Sequence, residues 1–396
     1  MWSSYVKGTI AYLFLLVISA PALAASASLT WRPAGPYPPE SDCQPVGFDE
    51  PDAVAVDNMG NIYVANEAGP DAVVEVTATG TMRTILNRRA EPIRSGHYFG
   101  LSLAMGPRND VYIAVQQRGT IEKLNSNGTL AVVAGKPGDR RLADGPDSVA
   151  RLKAPNAIAI SRSGVIYFSD SSTIRKVLLN GEISTLAGAA HPKAVQPSSG
   201  GIPYYLDGIG THARFGAANG IAVDGDGSVY VTDGYYYLAD WFTDGIMYKV
   251  VSIGFIRKVT PGGAVTTVAG SSRLLGQGLP GVASKVSFYS LFGIAIDSDG
   301  VIYVSTPFSY PSIKRLSRGS VDDVVSGPDY ELAYAPTGLV APTGVAVDRY
   351  GTLYTVNDLN TVVLPGENVD WLNRIVNSHV QTLCEIKSSA NSVSPH

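Results

Sequence analysis

Two carboxylates, Asp170 and Asp233, invite an acid and base reading. Each closes an apolar stretch ending in Ser-Asp or Thr-Asp, and each is followed on the next apolar stretch by an arginine, Arg175 and Arg257. A structural contact of Asp with Arg or with backbone is therefore expected at both. The five histidines, His97, His191, His212, His379 and His396, show no recognisable metal-ligand spacing and read as solvent-exposed or turn-forming. No Gly-x-Ser-x-Gly, P-loop or Cys-x-x-Cys stands out. One segment concentrates aromatic groups: GYYYLADWFTDGIMYKVVSIG carries Tyr235, Tyr236, Tyr237, Trp241, Phe242 and Tyr248. Such a loop could stack on sugar rings or anchor a partner protein. It could equally be an extra hairpin covering its own sheet.

The elements that position these residues repeat. A run alternating Ala with Ile, Leu or Val leads into a tight polar turn, then a β-branched residue and Tyr. The copies are AVAVDNMGNIYVAN (53–66), LSLAMGPRNDVYIAV (101–115), AIAISRSGVIYFSD (157–170), GIAVDGDGSVYVTD (220–233), GIAIDSDGVIYVST (293–306) and GVAVDRYGTLYTVN (344–357). A second hairpin follows each, clearest as TIRKVLLNGEISTLAG (173–188) and FIRKVTPGGAVTTVAG (255–270). Period-two alternation and Asn-Gly or Gly-Gly turns make these antiparallel, so each unit is a four-stranded meander. A four-stranded sheet apolar on both faces is not stable alone. Radial stacking into a ring buries both faces and leaves only short outer edges. The fold class expected is all-β, a six-bladed β-propeller of four-stranded antiparallel blades, in preference to an open β-solenoid or two sandwiches. The 42 Gly and 25 Pro, with only 16% charged residues, suit many short strands joined by tight turns.

These units resemble NHL repeats, in which a Gly-Ile-Ala-Val-Asp strand, a Gly turn, an Ile-Tyr-Val-Asp strand and an Ile-Arg-Lys strand recur. The resemblance covers roughly 48–386 and speaks to fold more than function, because NHL-type propellers include enzymes, receptors, adhesion modules and RNA binders. It implies that the residue before each innermost strand points at the channel mouth. By alignment these are Asp52, Phe99, Asn156, Asn219, Phe292 and Thr343. The similar peptidyl-amidoglycolate lyases place zinc-binding His at such positions, and none of these six is His. Gluconolactonase-type propellers hold a divalent cation there with a Glu, an Asn and an Asp. Asn219 followed by Gly220 matches one such ligand, and Asn156 and Asp52 match more loosely. Oxygen ligands of this kind suit Ca²⁺, which could polarise a lactone or ester carbonyl. Asn and Asp are also good turn formers, and only one carboxylate is present.

In a meander propeller the first and third turns of each blade share one face. The middle connection and the link to the next blade share the other. The first-face turns are all short, whereas every long segment falls on the opposite face. Long loops on a rigid ring are where binding groups usually sit. The repeated Asp-Gly, Ala-Arg pattern of ADGPDSVARLKAPN (143–156) and LDGIGTHARFGAAN (206–219) reads as a blade-linking motif.

The sixth unit carries its own outer strand, His379 to Glu385, so no N-terminal strand swap is required. Cys384 ends that strand and Cys43 lies just before Phe48, which aligns with Phe215 at the start of blade four. A Cys43–Cys384 disulfide would clamp the first blade to the last; the alternative is two unpaired buried thiols. Export permits the bond. Lys7, the apolar run from Ile10 to Ala20, the break at Pro21 and the small residues Ala22 to Ala24 read as a cleaved signal peptide, residues 1–24. The run is short for a membrane span. The remaining expectations are a lead-in over 25–47, the propeller over 48–386 and a disordered tail over 387–396.

Without residues 1–24 the chain has 29 basic and 34 acidic residues and no Lys/Arg run, which argues against a nucleic-acid partner. The reading is a secreted or periplasmic recognition propeller with no stable membrane anchor. It would bind a protein, peptide or carbohydrate over the long-loop face through Tyr235, Tyr236, Tyr237, Trp241, Phe242, Phe99 and Phe292. The alternative is a metal-dependent hydrolase or lyase holding Ca²⁺ or another divalent cation at Asp52, Asn156 and Asn219.

Overall fold

The computed structural model describes residues 48–67, 71–87, 101–189, 206–238, 250–271, 280–288, 290–307, 311–327, 339, 341–357, 368–376 and 378–388. They form six antiparallel sheets. Blade one is β1 (Pro51–Val56), β2 (Ile62–Asn66), β3 (Asp71–Val76) and β4 (Met82–Asn87). Blade two is β5 (Ser102–Met105), β6 (Val111–Val115), β7 (Thr120–Leu124) and β8 (Leu130–Gly135). Blade three adds a short β9 (Gly145–Pro146) to β10 (Pro155–Ile160), β11 (Ile166–Asp170), β12 (Thr173–Val177) and β13 (Glu182–Gly188). Blade four adds β14 (Gly208–Ile209) to β15 (Ala217–Val223), β16 (Val229–Leu238), β17 (Val250–Val259) and β18 (Ala264–Ala269). Blade five adds β19 (Gly281–Val282) to β20 (Ile294–Ile296), β21 (Ile302–Thr306), β22 (Ser312–Ser317) and β23 (Ser320–Ser326). Blade six is β24 (Pro342–Val347), β25 (Leu353–Asn357), β26 (Asn368–Val376) and β27 (His379–Ser388), its own outer strand included and running to Ser388.

The alternation in each first strand explains how blades stack. Along β1, Val54 and Val56 face blade six while Ala53 and Ala55 face blade two. A small side chain on one sheet thus meets a branched one on the next, and the innermost strands can crowd together. Each of the six apolar clusters is one blade-to-blade interface. The cluster that closes the ring joins Val54, Ile62 and Val74 of blade one to Tyr354, Val356 and Leu372 of blade six, with Phe48 buried among them. Phe48 thereby repeats the role of Phe215 between blades three and four.

The first turns of blades one, four, five and six are built by one device. Asp57, Asp224, Asp297 and Asp348 each accept two backbone amides two and four residues ahead, as an Asx turn. The following Gly at positions 60, 227, 300 and 351 takes a left-handed φ. The repeat's Tyr then donates its hydroxyl back to the same Asp at Tyr63, Tyr303 and Tyr354. Burial and Asp297 push the Tyr303 phenol up to about 12. Burial and the carboxylates of Glu75 and Asp57 push Tyr63 up as well. Both native phenols sit above the unfolded value, so their contribution is complete below pH ~10 and is lost as pH rises through the folded values. Spectroscopic titration at 295 nm should show a subset of the tyrosines, Tyr303 among them, ionising only near pH 12, with stability falling between about pH 10 and 12. Ionisation of every tyrosine near pH 10 in the folded protein would contradict this.

The blade linkers are pinned by buried charge. Arg175 donates to Asp170 at 2.7 Å and to Asp144 at 2.7 Å, and Arg257 donates to Asp233 at 2.9 Å and to Asp207 at 2.8 Å. Asp170 also accepts the amides of Lys153 and Ala154, and Asp233 those of Gly216 and Ala217. Asp170, Asp233 and both arginines are fully buried. Burial pushes the Asp233 carboxyl up to about 7 against the pull of Arg257 and the two amides. Asp144 and Asp207 additionally accept the outer-strand amides of Thr185 and Thr267. The linkers thus lie along β13 and β18 and place β9 and β14 on their edges. Asp170 and Asp233 are structural, as the repeat implies.

Candidate functional site

Four of the six first strands, in blades one, three, four and six, begin with an irregularity that aims a side chain inward. Register slips between Pro51 and Ala53, Pro155 and Ile158, Ala218 and Gly220, and Pro342 and Val345. Such bulges bend a strand and redirect one residue. The result is a cavity on the ring axis lined by Asp52, Leu101, Asn156, Asn219, Phe292 and Thr343 and the two residues after each. Five of the six expected channel residues are brought together. The sixth is a correction: pairing of Ala104 with Tyr112, equivalent to Ala55 with Tyr63, puts Leu101 at the mouth in blade two. Phe99 lies outside the described residues.

The polar members of this ring reach to the neighbouring blade. Asn156 Nδ2 donates to the Ala218 carbonyl at 3.4 Å and Asn219 Nδ2 to the Leu291 carbonyl at 2.9 Å. Thr343 Oγ1 donates to the Pro51 carbonyl at 3.0 Å, which joins blade six to blade one. One layer out, Ser169 Oγ reaches Ala218, Thr232 Oγ1 reaches Phe292 and Ser305 Oγ reaches Thr343, at 3.1, 2.6 and 2.6 Å. Hydroxyls on the second strand and amides at the channel are therefore clasps between consecutive blades. Sequence reading missed the hydroxyls, although Ser or Thr before the terminal Asp or Thr of the second strand in blades three, four and five was visible.

On the outer part of the same face, β16 and β17 continue past their siblings. Blade three turns back after Asp170 pairs with Thr173, whereas the equivalent pair in blade four, Asp233 with Phe255, is followed by five more pairs ending at Leu238 with Val250. Five residues at about 3.3 Å each lengthen this hairpin by roughly 16 Å, and its base is fastened to the link into blade five, where Gly254 donates to the Phe288 carbonyl at 3.0 Å. Tyr235, Tyr236 and Tyr237 lie on it, so the aromatic segment begins as an extra hairpin. Trp241, Phe242, Tyr248, His97, His191 and Cys43 lie outside the described residues. Cys384 stands on β27 opposite Leu372.

The repeat and the six-sheet fold have counterparts among known proteins. The family model described as the teneurin NHL domain matches residues 134–203. Teneurin-3 of Mus musculus is 27% identical over 252 residues, 57% of this chain and 8% of that protein. Teneurin-3 of Danio rerio is 26% identical over 209 residues, 46% of this chain and 8% of that protein. The chain is an NHL-repeat β-propeller. It spans under a tenth of the length of those curated relatives. Among solved structures, an auxiliary nutrient binding protein from Bacteroides thetaiotaomicron has the same fold, with a TM-score of 0.51 and 11% identity over 78% of this chain and 67% of that one.

Within this NHL propeller the fit of a divalent cation can be judged from the donors. Asp52, Asn156 and Asn219 line one cavity but come from blades one, three and four. Among the described residues no three His, Cys, Asp or Glu side chains cluster as metal ligands. The Nδ2 bonds of Asn156 and Asn219 leave their Oδ1 atoms as the acceptors, and Asn219 Oδ1 is buried without a hydrogen-bond partner. One orphaned oxygen is compatible with a bound cation, water or ligand N–H. A hard cation needs six or more oxygens, which the two amides and the Asp52 carboxylate supply only in part.

Proposed function

We propose that this NHL propeller is an extracytoplasmic recognition module that binds a protein, peptide or glycan through the long-loop face. The observation that carries the reading is the blade-four hairpin, which stays paired to Leu238 and Val250, five pairs past the point where blade three turns back. A rigid scaffold with an extended hairpin is a geometry suited to capture. Matches to teneurin NHL sequence support an interaction role in the coarse sense. The apolar leader at residues 10–20 supports export. Among the described residues no helix is long and apolar enough to cross a membrane.

Excising residues 236–252 and joining Tyr235 to Ile253 through Asn-Gly keeps the blade's four strands and removes the extension. On glycan and peptide arrays the shortened protein should lose the binding that the full chain shows, with its unfolding transition nearly unchanged. Retained binding would move recognition away from this hairpin.

The orphaned Asn219 oxygen favours one second reading, a metal-dependent lactone or ester hydrolase or lyase with its site at the channel mouth. Elemental analysis of the purified protein and thermal unfolding with and without chelator separate the two. The recognition reading expects no stoichiometric divalent metal and a melting temperature unmoved by chelator. A bound metal whose removal lowers that temperature would favour the hydrolase.

A further inference from the structure

The chain as a whole is acidic, with 34 Asp and Glu against 30 Lys and Arg, yet one region of the long-loop face has the opposite sign. Between 136 and 153 stand Lys136, Arg140, Arg141, Arg151 and Lys153 against Asp139, Asp144 and Asp147. Two of those acids are already engaged. Asp139 accepts from Arg141 and Arg151, each at 2.7 Å, and those guanidiniums hold its carboxyl far below the usual range. Asp144 is committed to the buried Arg175. Asp147 is exposed just after β9, at the outer edge of blade three.

Lys136, Arg140 and Lys153 are exposed, and among the described residues none has a carboxylate within ion-pair distance. The backbone brings them together. Gly138 donates to the Arg118 carbonyl at 3.0 Å, which fastens the segment after Lys136 to the turn between β6 and β7. The Arg140 stem lies over Gly119 of that turn, where a Cβ would come within 3.1 Å of its Cγ. Arg140 Nε donates to the Lys153 carbonyl at 2.9 Å, which fixes the guanidinium beside the chain that leads to Asn156 at the channel mouth. The Arg118 guanidinium is balanced by Glu122, at 3.0 Å. Three uncompensated cations from two separated stretches of chain thus converge where blade two meets blade three, between the rim and the axis.

We propose that Lys136, Arg140 and Lys153 form a subsite for the carboxylate or sulfate groups of an anionic glycan. The proposal rests on the recognition reading of this face and names the ligand class. An acidic peptide is less suited, because the outer edge of blade three is covered by β9 and offers no strand for pairing. Within 136–153 the one exposed large apolar side chain is Val149, which is less than the apolar centre that a protein interface uses. A planar guanidinium held in place beside two ammonium groups is a combination that reads spaced anionic groups.

The test is binding of the full chain to sulfated dextran, polygalacturonate, neutral dextran and polyglutamate by biolayer interferometry across a salt series. The triple variant Lys136→Gln, Arg140→Gln, Lys153→Gln is compared with Arg108→Gln, Arg162→Gln, Arg349→Gln on the short-turn face. The native protein should bind the two acidic polysaccharides, not neutral dextran, and weaken as salt rises. The first variant should bind them roughly tenfold or more weakly, as expected from three partly screened contacts, and the second should bind as the native protein does. Preference for sulfated dextran over polygalacturonate, or the reverse, identifies the anionic group. No binding to either polysaccharide, equal loss in both variants, or binding to polyglutamate alone would overturn the proposal. If the native protein instead binds a neutral glycan that the hairpin excision abolishes, the recognition reading stands without this subsite.

Discussion

Replacing Arg257 with Val should cost about 3–5 kcal/mol in unfolding free energy, because it leaves the fully buried Asp233 carboxyl facing two amides and no cation. The loss includes the hydrogen bonds from Arg257 to the Arg214 and Leu206 carbonyls and to Asp207, which hold the linker into blade four. Blade one shows how the same two positions are filled without charge: Asn66 stands where blade four has Asp233, and Val74 where it has Arg257. The double variant Asp233→Asn, Arg257→Val should therefore be more stable than Arg257→Val alone, since the uncompensated carboxyl is gone, and remain below the native protein because the linker contacts are not restored. Denaturant midpoints for the three proteins decide this. A single variant within about 1 kcal/mol of native would mean that the guanidinium contributes little beyond its volume. Asp207→Asn, at a side chain 49% exposed, should cost under about 1 kcal/mol.

That comparison shows what made the fold legible in the sequence. Positions facing a neighbouring blade must alternate with period two and must keep Tyr, the turn Asp and the turn Gly in register, so six imperfect copies still align. The same constraint exposed Asp170, Asp233 and the linker motif as structural. Legibility failed where a blade departs from it. Blade two has Gly106 where blade one has the turn Asp, and Asn109 instead of Gly takes the left-handed conformation, with φ 62°. The dipeptide Phe99-Gly100 then resembles Phe292-Gly293 and draws the alignment two residues out of place, away from Leu101. Blade five departs differently, with Thr306 and Lys314 where blades three and four have Asp and Arg, and Lys314 paired to Asp323 on the outer strand. The basic group at 136–153 was not legible as a site, because which of its five cations are left without a carboxylate emerges only once Asp139 is seen to hold Arg141 and Arg151 and Asp144 to hold Arg175.

The closeness of approach at the channel gives the second large effect. In blades four, five and six the residue after the channel position is Gly, and a Cβ on Gly220 would lie 2.4 Å from the Phe292 carbonyl oxygen of the next blade. The obstacle is backbone, held by Thr232 Oγ1 on the same carbonyl, so it cannot rotate aside as a side chain would. Gly220→Ala should therefore force blades four and five apart at the axis and cost about 3 kcal/mol, the upper end for overpacking. Gly344→Ala, whose Cβ would be 3.0 Å from the Asp52 carbonyl oxygen, should cost less. Gly225→Ala, on an open turn with nothing within 4 Å, should change stability by under about 0.5 kcal/mol. If Gly220→Ala and Gly225→Ala unfold at the same denaturant concentration, the interface between blades four and five is looser than this geometry. A graded series, with Gly220 most sensitive, would show that the ring is set by backbone contact at the axis. The clasps Thr232, Ser305 and Thr343 then act by holding carbonyls at that distance. A channel so constructed has its width fixed by the stacking of blades, which leaves the outer loops of the long-loop face as the part of the molecule free to vary.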